Sequence, residues 1–85
     1  SRISILPQVL VNARVKEEYK DSILEDEQIK ARIQELEARF AGKGRVLIRP
    51  SGTEPLVRVM IEGTNKQEIG RQAVEMARLI ESRLA

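Results

Sequence analysis

The chain has no cysteine, no histidine and no tryptophan, and a single phenylalanine and tyrosine. Without cysteine there is no disulfide, no thiolate nucleophile and no cysteine-built zinc site. Without histidine the commonest general base is missing. No Asp-x-Asp cluster of the kind that holds a divalent cation occurs either. The scarcity of aromatics leaves the core to aliphatic side chains. No apolar run approaches the roughly 18 residues that a membrane-spanning helix needs, and Ser1–Leu6 lacks the form of a secretory signal. A cytoplasmic location and no membrane partner are the resulting expectations. A surplus of one charge is also lacking: 15 basic residues are interspersed with 13 acidic ones. With no basic stripe interleaved with aromatics, a nucleic-acid partner is not expected. The chain begins without methionine, as expected of a piece of something longer.

What is present suits one small folded domain. Eighty-five residues allow a single core near the size where burial becomes marginal. Val9, Val11, Ala13 and Val15 alternate with Gln8, Leu10, Asn12 and Arg14, the period of a half-buried strand. Lys16–Asp21 is charged and shows no apolar period, which reads as a solvated connection with Tyr19 on the surface. Ile29, Ile33, Leu36 and Phe40 then recur at helical steps, predicting an amphipathic helix over Gln28–Ala41 that buries Ile33. Asp26 is placed to cap its start and Gly42 to end it, with Glu35 and Arg39 one turn apart on the outer face. A second helix carries Ile69, Ala73, Met76, Ala77, Ile80 and Leu84 on one face. Two overlapping caps, Thr64-x-x-Gln67 and Asn65-x-x-Glu68, compete for its start.

Between the helices lies Arg49-Pro50-Ser51-Gly52-Thr53-Glu54-Pro55, followed by Arg58. If Arg45–Arg49 and Leu56–Glu62 pair so that Val46 faces Ile61 and Ile48 faces Val59, the apolar residues of both strands share one face. Pro50 then lies opposite Val57, and Arg49 and Arg58 point to the other face at the mouth of the loop. Guanidinium groups match phosphate oxygens and keep their charge at any working pH. Ser51 and Thr53 add hydroxyl donors, and Gly52 allows the chain to turn backbone N–H groups toward one spot. Pro, Ser and Gly also make ordinary strand connections. At this point the loop reads either as an anion cradle or as a turn with solvated arginines. Ser51 has no histidine or lysine base that the sequence can supply, so it reads as a phosphate donor and not as a nucleophile.

Residues 44–62, Gly-Arg-Val-Leu-Ile-Arg-Pro-Ser-Gly-Thr-Glu-Pro-Leu-Val-Arg-Val-Met-Ile-Glu, resemble the phosphate-binding loop and flanking strands of the C-terminal domain of the phosphohexomutases. Within that superfamily they are most similar to the phosphoglucosamine mutases. Pro7-Gln8-Val9-Leu10-Val11-Asn12 resembles the start of the same domain, so the likeness runs from about Pro7 to the end of the second helix. It implies an α+β, TATA-binding-protein-like fold: an antiparallel sheet of three to four strands with two helices on one face. Three strands are evident in the pattern. Residues 1–85 are then a single C-terminal domain, with 1–6 the tail of a preceding segment.

The resemblance further implies an enzyme interconverting glucosamine 6-phosphate and glucosamine 1-phosphate, in which a phosphoserine and a magnesium ion of earlier domains carry the phosphoryl transfer. Neither has a counterpart in this chain, which is expected to bind no metal and to be inactive alone. Its partners are the phosphosugar and the other domains of the enzyme. Arg49, Ser51, Gly52, Thr53 and Arg58 would hold the non-reacting phosphate, with Glu54 and Pro55 shaping the loop. A phosphomannomutase or phosphoglucomutase would use a similar loop, and a non-enzymatic anion-binding module is a third reading.

Overall fold

The computed structural model describes residues 6–85, so the tail expected over 1–6 lies, but for Leu6, outside the described residues. Strand β1 spans Gln8–Arg14, helix α1 Glu27–Phe40, strand β2 Arg45–Pro50, strand β3 Leu56–Glu62 and helix α2 Lys66–Leu84. Strand β3 runs antiparallel between the other two, giving the order β1-β3-β2. β1, α1 and β2 thus form a split β-α-β unit with β3 inserted. The described residues hold three strands, the lower of the two numbers expected.

The register follows from the alternation of side chains. Val46 pairs with Ile61 and Ile48 with Val59, and Val11 of β1 meets Val59 from the other side. Each pair places branched aliphatic side chains on one face. α2 packs on that face over β1 and β3, and α1 over β2. Ala13, Val57, Val59, Ile61, Ile29, Leu36, Ile69, Met76 and Ile80 are almost wholly excluded from solvent, one aliphatic core between a sheet and two helices. Carboxylates reach both outer strands: Glu37 of α1 accepts from the Val46 N–H at 3.2 Å, and Glu81 of α2 from the Arg14 N–H at 2.9 Å. These occupy edge donors that would otherwise invite another strand.

Asp26 caps α1 by accepting from the N–H groups of Gln28 and Ile29 at 3.0 and 3.1 Å. Its second oxygen receives Arg83 Nε from α2 at 2.6 Å. Burial alone would raise its pKa, but the Arg83 hydrogen bond, the Ile29 N–H, the Arg83 charge and the Gln28 N–H outweigh burial and hold it below its usual value. At the other end the left-handed turn takes two residues, Ala41 at φ 51° and Gly42 at φ 84°, where the sequence pointed to Gly42 alone. Of the competing caps on α2, Asn65 is used: its Oδ1 accepts from the Glu68 N–H at 3.0 Å.

Two expectations need correction. Ile33 is only half-buried, and the deeply buried positions of α1 are Ile29 and Leu36. Glu35 and Arg39 lie exposed one turn apart on α1 as expected, but no ion pair joins them among the described residues. Arg32 instead bridges Glu35 at 3.3 Å and Glu75 of α2 at 2.9 Å, because a neighbouring helix offers a second carboxylate. Lys16–Asp21 is not a plain solvated connection, since a 3₁₀ helix spans Glu17–Glu25 with Lys20 and Ile23 buried, while Tyr19 does remain exposed.

Candidate functional site

The helices cover one face of the sheet and leave the other open. On the open face three cross-strand rows follow from the register: Gln8, Glu62 and Arg45; Leu10, Met60 and Leu47; Asn12, Arg58 and Arg49. Arg49 and Arg58 are therefore direct partners across β2 and β3, as the pattern of apolar residues required, and both are exposed. Like charges directly opposite each other in an antiparallel pair destabilise it. Among the described residues neither arginine makes an ion pair, whereas Arg45 in the next row is matched by Glu62 at 3.3 Å. The two unmatched arginines line a shallow cavity of about 220 Å³ with Leu10, Leu47 and Met60. An anion placed between them removes the repulsion.

Ser51–Pro55 connects the two strands and is closed by the Ser51 N–H donating to the Leu56 carbonyl at 3.0 Å. Inside the turn the N–H groups of Thr53 and Glu54 converge on Ser51 Oγ, at 3.4 and 3.2 Å. The serine thus accepts from its own loop, and its hydroxyl proton points to no acceptor among the described residues. Thr53 is exposed, with its hydroxyl free of hydrogen bonds among those residues. Gly52 is exposed within this turn. It has no left-handed φ, and a Cβ built on it meets nothing within 4 Å. The fold places no demand for glycine at this position, in contrast to Gly44, where a Cβ would lie 2.3 Å from the Glu62 carbonyl oxygen. What Gly52 leaves free is access to the loop backbone from outside.

The far side of the loop is tied down by residues outside the hairpin. The Val15 N–H donates to the Pro55 carbonyl at 3.0 Å, and Lys20 Nζ donates to the Glu54 carbonyl at 2.9 Å. Glu54 and Pro55 therefore anchor the loop through their backbones. Lys20 was not legible as part of this site, because its partner is a backbone carbonyl 34 residues away. Two further cavities lie elsewhere: one of about 300 Å³ flanks the loop beside Arg14, Glu54 and Glu81, and one of about 240 Å³ sits between the end of α1 and the start of α2. The first sets Arg14 against Glu54 and Glu81 and the second sets Arg39 and Lys43 beside Glu68, whereas the lining at the arginine row carries no carboxylate. No group of three acidic or metal-ligating side chains converges among the described residues.

A family model described as phosphoglucomutase/phosphomannomutase, C-terminal domain, matches residues 10–79. The phosphoglucosamine mutase of Ruminiclostridium cellulolyticum is 61% identical over 83 residues, which are 98% of this chain and 18% of that protein. That of Caldanaerobacter subterraneus is 58% identical over 84 residues, 99% of this chain and 19% of the relative. The chain thus spans less than a fifth of these curated relatives. Among solved structures, Aspergillus fumigatus N-acetylphosphoglucosamine mutase in complex with GlcNAc-6P and magnesium matches with a TM-score of 0.73 and 30% identity, over 94% of this chain and 16% of that one.

Proposed function

The chain belongs to the family of phosphoglucomutase/phosphomannomutase C-terminal domains, and from that premise we propose that its hairpin loop holds the non-reacting phosphate of a phosphosugar. The observation that carries this reading is the Arg49–Arg58 cross-strand pair, two like charges without a carboxylate partner among the described residues, at the mouth of the turn. Arg49 and Arg58 supply charge and forked donors, Ser51 and Thr53 supply hydroxyl protons, and Gly52 gives the anion close approach to the backbone. The enzyme is a phosphoglucosamine mutase working in the cytoplasm, interconverting glucosamine 6-phosphate and glucosamine 1-phosphate, of which this chain is the C-terminal domain.

A loop that reads only phosphate geometry suits that reaction. A bisphosphorylated sugar must present either end to the reacting group, and such a seat accepts it in both orientations. Its contribution to rate is positioning. In this reading acid-base chemistry, a phosphoserine and magnesium belong to the rest of the enzyme. Magnesium bound elsewhere would stabilise the charge on the transferring phosphoryl group.

The family description supports a second reading, in which the sugar is glucose or mannose. Steady-state assays of the full-length protein with glucosamine, glucose and mannose phosphates separate the two: the highest kcat/KM is expected on glucosamine phosphate. A preference for mannose or glucose phosphate transfers the chain to the second reading. Binding by the loop itself is tested by titrating phosphosugar into the labelled chain. The amides of Ser51, Gly52 and Thr53 are expected to move first, and a response confined to other residues removes the proposal.

A further inference from the structure

We infer that Lys20 is a positioning residue for the phosphate loop, a strut that runs from the 3₁₀ helix to the Glu54 carbonyl and through Glu54 sets the Ser51 hydroxyl. The inference rests on the phosphate-binding reading of the loop. Lys20 is 6% exposed, the only lysine among the buried residues described. A lysine usually keeps its ammonium in water and buries only its stem. Here the ammonium is drawn in, donating to the Glu54 carbonyl at 2.9 Å and pairing with Glu17 at 3.0 Å.

The Glu17 carboxylate is itself 69% exposed, so this ion pair could form equally well with the ammonium in solvent. The contact that requires the buried position is the one to the loop.

Glu54 is held at both ends of its backbone. Its carbonyl receives Lys20 Nζ and also the Leu56 N–H at 2.8 Å, while its own N–H donates to Ser51 Oγ at 3.2 Å. Fixing this residue fixes the direction from which Ser51 Oγ accepts, and hence where its remaining hydroxyl proton can point. A loop so held presents its donors to an anion without having to order them on binding, which is where preorganisation adds affinity. The Lys20 ammonium is engaged by the Glu54 carbonyl and the Glu17 carboxylate, and its hydrogen bond to the loop is to that carbonyl. It is therefore assigned no contact with phosphate.

The test compares the wild-type chain with Lys20→Met, which keeps an unbranched apolar stem and removes donor and charge, and with Lys20→Arg, which restores both. Amide spectra are recorded first without ligand and then during titration with inorganic phosphate. Lys20→Met is expected to displace the free-state amides of Ser51, Thr53 and Glu54 while the core methyl signals stay in place. It should weaken phosphate binding about fivefold or more, the lower edge of a typical coupling between sites, and Lys20→Arg should recover part of the loss. High salt discriminates the mechanism, since a lysine acting only as a distant charge would lose its effect on affinity there and leave the free-state loop amides unmoved. Unmoved loop amides with wild-type affinity in Lys20→Met overturn the inference. Should that variant not fold, Lys20→Gln replaces it, with the same expected displacement and the same overturning result. If the wild-type chain binds no phosphate, the functional reading itself fails and the inference with it; displaced loop amides in the free variant would then record a tether with no phosphate role.

Discussion

Replacing Gly52 by alanine separates what the fold needs from what a ligand needs. The position has no left-handed φ, and a Cβ there meets no atom within 4 Å, so the alanine side chain fits without strain. The unfolded chain loses conformational freedom on the same substitution, which stabilises the folded state by about 0.4–1 kcal/mol. The urea midpoint of Gly52→Ala should therefore equal or exceed that of the wild type. Phosphate binding should move the other way. The methyl group stands in the open space over the turn, where an anion would approach the backbone, and pushing the anion outward weakens charge-assisted hydrogen bonds worth about 1.5–3 kcal/mol each. Loss of one such bond costs roughly ten- to a hundredfold in affinity, at about 1.4 kcal/mol per decade. The assay is a pair of measurements on one sample, denaturant unfolding and phosphate titration followed by amide shifts. A lowered midpoint would show that the backbone at Gly52 is strained after all. Unchanged affinity would show that nothing approaches the loop there, and the cradle reading would lose its account of this glycine.

Acid should expose the role of Asp26. Its folded pKa is depressed, so the stability it contributes is fully present above the unfolded value of about 3.9 and is lost as pH falls through the lower folded value. Asp26→Asn keeps a capping oxygen but removes the charge. Its urea midpoint should drop less than that of the wild type between about pH 5 and about pH 2, and an equal drop in both refutes the assignment. In the core, Ile29→Ala should cost about 2–5 kcal/mol and the half-buried Ile33→Ala clearly less, by denaturant unfolding; equal costs would contradict the burial described. Incubated with glucosamine 6-phosphate, magnesium and a bisphosphorylated sugar activator, the 85-residue chain should form no glucosamine 1-phosphate, and product above a matched blank would place catalysis within it.

The hairpin was legible because side chains alternate strictly along a strand. The register that pairs Val46 with Ile61 and Ile48 with Val59 gathers all four on one face, and it necessarily opposes Arg49 with Arg58. α2 was legible for the same kind of reason, an apolar stripe without interruption, although Thr64 and Asn65 offered equivalent capping chemistry and only the folded geometry chose between them. The 3₁₀ helix was not legible. Its buried members, Lys20 and Ile23, make no apolar period, and a buried lysine is recognisable only by the carbonyl it reaches in a distant segment. Nor did the pattern reveal the apolar row on the open face. Leu10 falls on the polar phase of β1, and only the pairing with Met60 and Leu47 shows that these side chains lie beside the two arginines. Within the loop, residue types suggested donors directed outward, whereas the N–H groups of Thr53 and Glu54 are turned inward onto Ser51.

The central claim is that the opposed arginines bind phosphate, and the most direct measurement is an amide-shift titration of the labelled chain with phosphosugar, in the wild type, Arg49→Ala, Arg58→Ala and the double variant. Both side chains are exposed and lie off the core face, so the variants should unfold at the wild-type midpoint or slightly above it as the cross-strand repulsion is relieved. In the wild type the shifts should begin at Ser51, Gly52 and Thr53, with millimolar affinity that weakens as salt is added. Each single variant should lose most of that response and the double variant all of it. Loop shifts that persist without either arginine would make the pair two solvated charges beside an ordinary strand connection.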